Sequence, residues 1–130
     1  MAIHRLSASL LLLIVASMAI AASIVGDFRK MDVYDEHLRQ SLSHLERQMD
    51  NRLNMNTIHR IAKIRQAEYQ IVSGIKYRAT FEFGETDCLK SDHRDIESCQ
   101  FTGYNMICHA ITLEKAWLKQ SSLVEFFCDN

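Results

Sequence analysis

From Ile75 to Phe83 the side chains alternate without a slip: Ile75, Tyr77, Ala79, Phe81 and Phe83 are apolar, and Lys76, Arg78, Thr80 and Glu82 are polar. A period of two belongs to a strand with one face buried and the other wet. The preceding segment, Ile58 to Val72, is mixed, but it sets Arg65, Ala67, Tyr69 and Ile71 on one parity and Gln66, Glu68 and Gln70 on the other. Ser73-Gly74 between the two segments predicts a tight hairpin. A hairpin alone is marginal in water, so its apolar face needs a cover. Leu38, Leu42, Leu45, Met49 and Leu53 supply one, recurring at helical spacing with Arg39, Gln40, Ser43, Glu46, Arg47 and Asp50 on the other faces. The pattern predicts one amphipathic helix of about four or five turns. Asp32 is the expected cap, Asp35 and Glu36 in the first turn complement the helix dipole, and Asn51, Asn54 and Asn56 interrupt the helix.

Beyond the hairpin, Gly84 to Gly103 is polar, carries two cysteines and reads as a loop. Met106 to Leu113 predicts a third strand, with Ile107, Ile111 and Leu113 sharing the parity of His109, and Leu123 to Cys128 a fourth. Between them Glu114 to Ser122 is a polar connection that holds the only tryptophan, Trp117. One helix on an antiparallel sheet, an α+β domain, is the expected architecture.

The chain begins differently. Leu10 to Ala22 is a block of about 13 apolar or small residues behind Arg5, the anatomy of a secretory signal peptide and too short for a membrane span. Ala19 and Ala21 suit cleavage after residue 21, which divides the chain into a leader, 1–21, and one domain, 22–130. Cleavage would remove one of the 15 basic side chains and none of the 16 acidic ones, so the domain has no charge excess to draw nucleic acid or an anionic membrane. An extracellular destination places Cys88, Cys99, Cys108 and Cys128 where thiols oxidise, with three pairings open to them.

Catalytic chemistry finds little support. Each thiol has a prospective partner, which argues against a cysteine nucleophile, and no enzymatic activity is expected. The six histidines are scattered, without Cys-x-x-Cys or His-Glu-x-x-His, and His37 and His44 lie two helical turns apart, so no metal or other cofactor is expected. The acidic groups Asp35-Glu36 and Asp92, Asp95 and Glu97 come with no sign of a deep pocket, and a domain of this size has little room for one. Asn-x-Ser/Thr does not occur. Function is therefore expected from exposed loops and edges.

The hairpin segment Gln70-Ile71-Val72-Ser73-Gly74 resembles the Gln-x-Val-x-Gly signature of the cystatins, inhibitors of papain-like cysteine proteases. A long helix and a glycine precede it, and cysteines spaced 11 and 20 positions follow it, so the chain from Ile24 to Asn130 is similar to the secreted, type-2 cystatins. The resemblance implies a cystatin-like fold, with one long helix across a four- to five-stranded antiparallel sheet and two sequential disulfides, Cys88 with Cys99 and Cys108 with Cys128. It also implies a three-part wedge aimed at the cleft of cathepsin L-, B-, S- or H-type proteases.

In that wedge Val25 and Gly26 end an N-terminal trunk, the residues Gln70, Ile71, Val72, Ser73 and Gly74 form the first loop, and Ala116 and Trp117 the second. Ala116 stands where the family usually has proline, and Asp27 follows Gly26 where the family's glycine is often doubled. A Cβ at position 74 is expected to hold the first loop away from the cleft floor. Asn54 takes the place of the asparagine through which some type-2 cystatins inhibit legumain, though Leu53 and Met55 flank it here. The family's members are monomers that can swap the first hairpin into dimers. A secreted cystatin-fold binding or signalling protein without inhibitory activity is the alternative reading.

Overall fold

A computed structural model describes residues 27–130. The leader, Val25 and Gly26 lie outside the described residues. The elements run β1 (Arg29–Lys30), α1 (Glu36–Arg52), β2 (Thr57–Val72), β3 (Gly74–Leu89), β4 (Phe101–Lys115) and β5 (Gln120–Cys128). The strands form one antiparallel meander in sequence order. Short 3-10 turns, Lys90–Asp92 and Ile96–Ser98, join β3 to β4, and Ala116–Leu118 joins β4 to β5.

The helix starts three residues later than its expected cap. Asp32 accepts the N–H of Tyr34 at 2.9 Å and its carbonyl accepts the N–H of Asp35, which makes a turn. Asp35 is the N-cap, accepting the N–H of Leu38 at 3.0 Å, so only Glu36 remains as an acid in the first turn. The short Asx side chain of Asp32 competes for the nearest backbone donor and forms a turn there. Asn51 stays helical, and the helix ends at Arg52 where Lys90 donates its ammonium to the carbonyls of Asp50 and Leu53.

Leu38, Leu42, Leu45 and Met49 are all buried, as the stripe predicts, and Leu53 packs at its margin. At about 1.5–3 kcal/mol per buried side chain this stripe outweighs the cap, which contributes about 1 kcal/mol. Its floor is a row of small residues. Ala67 of β2 lies opposite Ala79 of β3, and Ala79 opposite Ala110 of β4, all three buried beneath the helix. Tyr77, Phe81, Phe83 and Phe126 fill the space on either side. Ser41 and Thr112, both buried, share a hydroxyl hydrogen bond of 3.3 Å between α1 and β4.

The shared parity of Ile107, His109, Ile111 and Leu113 holds in β4, and the floor decides that this parity faces away from the helix. The side chains turned to the helix are Cys108, Ala110 and Thr112, while Ile107, Ile111 and Leu113 lie on the opposite parity with His109. The helix lies over the Ala110 line, where only small residues fit, so the bulkier side chains sit on the outer face.

The expected loop from Gly84 to Gly103 is strand at both ends, and only residues 90–100 form the connection. β3 continues to Leu89 with Thr86 and Cys88 buried and Glu85, Asp87 and Leu89 alternating with them, and β4 starts at Phe101. Threonine and cysteine carry the buried parity there, and they read as polar or loop residues in the sequence. Likewise β5 starts at Gln120, ahead of the expected Leu123. The disulfides Cys88–Cys99 and Cys108–Cys128 both form, one across the β3–β4 connection and one between paired residues of β4 and β5.

Along the outer margin of β2, two helix carboxylates replace a missing strand. Asp50 accepts the N–H of His59 at 2.9 Å and Glu46 accepts the N–H of Ile61 at 3.2 Å. One helical turn on α1 thus matches two residues on β2, and the open edge is covered. Burial pushes both carboxyls above their ordinary values, against the lowering pull of these hydrogen bonds and of Arg60 for Glu46 and Lys90 for Asp50.

Candidate functional site

The apolar parity of the first hairpin does not stop where the core stops. Tyr77 is the last buried member on β3, at the level of the helix N-terminus, where burial and the charges of Glu114 and Asp35 push its phenol up from its ordinary value. The next members, Ile75 on β3 and its cross-strand partner Ile71 on β2, extend past the helix. Ile71 is 68% exposed and Ile75 37%. Val72 beside them is exposed as well. Strand parity puts Ile71 and Ile75 in line with the core, with Val72 on the opposite parity, and the end of the helix leaves the two isoleucines uncovered.

Glycine at 74 answers to the molecule's own architecture. Its φ is +119°, a conformation that L side chains rarely adopt, and an added Cβ would lie 2.6 Å from the carbonyl oxygen of Glu114. This internal contact is a demand for glycine that exists before any partner arrives. Gly74 lets β3 turn tightly out of β2 while pressing against β4.

That contact also sets the place of the second loop. β3 pairs with β4 as far as Ile75 opposite Glu114, and β4 pairs with β5 as far as Lys115 opposite Gln120. The turn Ala116–Leu118 therefore projects from the same end of the sheet as Ser73 and Gly74, and Lys119 at φ 49° closes it. Trp117 is 62% exposed and Leu118 52%. A core role for the tryptophan is thereby excluded in the free protein. Leu118 and Ile75 were not among the loop residues the sequence pointed to, although a Trp-Leu pair inside an otherwise polar connection was a visible signal.

The chain enters the sheet from this end too. β1 is antiparallel to β2, with Arg29 opposite Tyr69 and Lys30 opposite Glu68, and the N–H of Met31 donates to the carbonyl of Ala67. Going backwards from Arg29, the strand direction leads towards Gln70 and the hairpin tip. Val25 and Gly26 belong to the segment just before it.

Five apolar side chains, Ile71, Val72, Ile75, Trp117 and Leu118, thus mark one end of the sheet. Such an edge offers area to a concave partner, and all four cysteines are tied in disulfides. Asn54 is exposed in the connection between α1 and β2, near Lys90 and the opposite end of the sheet. Among the described residues no cluster of His, Cys, Asp or Glu has metal-binding geometry.

Residues 29–117 match the cystatin domain family. The chain is 28% identical over 131 residues to L-cystatin of Tachypleus tridentatus, covering 98% of this chain and 96% of that one. It is 31% identical over 103 residues to cystatin of Gallus gallus, covering 75% of this chain and 73% of that one. Among solved structures, dimeric human cystatin F superposes with a TM-score of 0.72 at 24% identity, over 81% of this chain and 87% of that one. A salivary cystatin of the soft tick Ornithodoros moubata gives 0.69 at 17% identity, over 81% and 98%. These two likenesses speak for the fold, and the domain match, which spans most of the described chain, speaks for descent: the chain belongs to the cystatin family.

Proposed function

We propose that this protein is a secreted, reversible, competitive inhibitor of papain-like cysteine proteases of the cathepsin type. The observation that carries the reading is the alignment of two exposed apolar loops, Ile71 to Gly74 and Ala116 to Leu118, at one end of a sheet held rigid by the Ile75–Glu114 pairing. A cleft built for an extended substrate accepts such an edge, and the aromatic anchor Trp117 supplies area at low entropy cost. Gln70, Ile71, Val72, Ser73 and Gly74 enter beside the protease cysteine, Ala116 and Trp117 pack on the primed side, and Val25 and Gly26 occupy the non-primed side.

Inhibition on this reading needs no chemistry from the inhibitor. The loops exclude substrate without presenting a peptide carbonyl to the nucleophile, so no acyl-enzyme forms and the complex dissociates to active protease. Much of the affinity comes from preorganisation, because the loop backbones are set by β3–β4 pairing before the partner arrives. Residues 1–21 direct export, the domain 22–130 acts outside the cell, and both disulfides fit that oxidising compartment.

Legumain binding through Asn54 would use the opposite end of the sheet and leave the loops free. A monomer is sufficient for the wedge. Titration of the protein beginning at Ala22 against papain or a cathepsin L-like protease tests the proposal: stoichiometric loss of activity, restored on dilution, is expected. No inhibition at micromolar protein would leave the non-inhibitory binding module as the better reading.

A further inference from the structure

The guanidinium carbon of Arg78 lies 4.0 Å from the ring centroid of Phe28. Arg78 is in turn held by Glu68, its Nη2 donating to Oε2 at 2.8 Å. These three side chains join three strands or their extensions: Glu68 and Arg78 are cross-strand partners on β2 and β3, and Glu68 also lies opposite Lys30 on β1. Phe28 immediately precedes β1, whose two residues are the whole of that strand. Two ladder pairs are little to hold a chain end, and short terminal strands ordinarily fray.

We propose that Phe28 and Arg78 form a clamp that positions the N-terminal trunk, with Glu68 orienting the guanidinium. The inference rests on the inhibitory reading above, in which Val25 and Gly26 meet the protease, and it adds two residues that touch no protease themselves. Arginine suits the task because its flat cation stacks on a ring face while its edge donates to a carboxylate. The clamp sits two residues after Gly26, so the chain is fixed from Phe28 onward. Asp27, where a second glycine is common in the family, shortens the hinge, and a fixed point directly behind it makes the trunk's direction a property of the sheet. The benefit is entropic: a trunk that leaves the sheet in one direction loses less freedom on binding.

The test compares Phe28→Ala, Arg78→Gln and Arg78→Lys in two backgrounds, the protein starting at Ala22 and the same protein starting at Asp27. Inhibition constants against papain are measured for each, together with 15N relaxation of the Asp27 to Lys30 amides in the free proteins. In the longer background Phe28→Ala and Arg78→Gln are expected to weaken inhibition by about 3-fold or more, the scale of an exposed cation–π contact. Arg78→Lys is expected to recover part of the loss. In the shorter background both substitutions are expected to leave the inhibition constant unchanged, because the trunk is gone.

Equal losses in both backgrounds would overturn the clamp and assign the residues to general stability. Amides of Phe28 and Arg29 as rigid in Arg78→Gln as in the parent would overturn it as well, whatever the inhibition data show. If the parent protein fails to inhibit papain, the functional reading falls, and the relaxation data still decide the clamp: loosening supports it and unchanged order refutes it.

Discussion

Gly74 stands against the carbonyl of Glu114 so closely that a methyl group on its Cα would lie 2.6 Å from that oxygen. The contact couples the two loops at the exposed apolar edge, since Glu114 is two residues from Ala116. Gly74→Ala is expected to destabilise the fold by about 1–3 kcal/mol, from a positive φ and a backbone clash. It should also weaken protease inhibition at least tenfold, because the first loop must shift away from the second. Urea denaturation and titration against papain read the two effects. Unchanged inhibition would show that loop alignment is not what the protease recognises.

Trp117 offers the opposite combination. Its side chain is mostly exposed in the free protein, so Trp117→Ala is expected to change stability by less than about 0.5 kcal/mol. As an interface anchor it is expected to account for about 2 kcal/mol of binding, near 30-fold in the inhibition constant. Leu118→Ala should act in the same direction with smaller size. A stability loss without an inhibition loss would remove the second loop from the contact.

Ala116 is the first residue of the turn that carries Trp117, and Lys115 before it is extended at φ −117° and ψ 90°. Proline is favoured at such a position, and its preceding residue must be extended. Ala116→Pro is expected to tighten inhibition by about 0.5–1 kcal/mol, roughly 2- to 5-fold, through a stiffer loop. Side-by-side inhibition constants at one pH and salt concentration check this, and a weaker inhibitor would mean that the alanine's N–H or flexibility matters.

Ala110 is the third member of the alanine row under the helix. Ala110→Leu is expected to cost about 1–3 kcal/mol or more, since the helix would have to rise from its floor. Ile111→Ala, on the outer face of the same strand, should cost less. Thermal or urea denaturation of the pair distinguishes the two faces, and an equal cost would contradict the packing described above.

Burial raises the carboxyls of Asp50 and Glu46 above their ordinary values of 3.8 and 4.5. A carboxyl that binds its proton more tightly in the folded state contributes stability that is complete below its unfolded value and lost as pH rises through the folded value. The pair is therefore expected to make the protein less stable as pH climbs from the ordinary carboxylate range towards neutrality. The double substitution Asp50→Asn and Glu46→Gln should flatten that part of the profile. Urea midpoints measured across the range provide the check, and a slope that survives the double substitution would assign it to other groups.

Several elements were legible because their periodicity is carried by strongly apolar residues. Leu38, Leu42, Leu45 and Met49 announce a helix face, and Tyr77, Ala79, Phe81 and Phe83 announce its partner strand. Ser73-Gly74 could be read as the turn of a hairpin, whereas Gln70, Ile71 and Val72, which the cystatin resemblance assigns to the first loop, are the last residues of β2. The extension of β3 through Thr86 and Cys88 was hidden because its inward residues are not hydrophobic by type, although both are buried. Asp32 and Asp35 are equally good caps on paper, and the backbone turn between them decides which one serves.

What the sequence by itself determined, over the described residues, is the set of parts: one amphipathic helix, a hairpin with its turn, further strands and four cysteines in a cystatin-like order. Local spacing is enough for these because helix and strand periods are properties of the backbone. Only the tertiary structure decided which face of β4 meets the helix, because close approach over Ala67, Ala79 and Ala110 admits small side chains and turns Ile107 and Ile111 outward. It also decided that Ile71 and Ile75, apolar and in line with the core, stay uncovered, because the helix ends before it reaches them. An exposed apolar edge is made by where a neighbour stops, which no local pattern records.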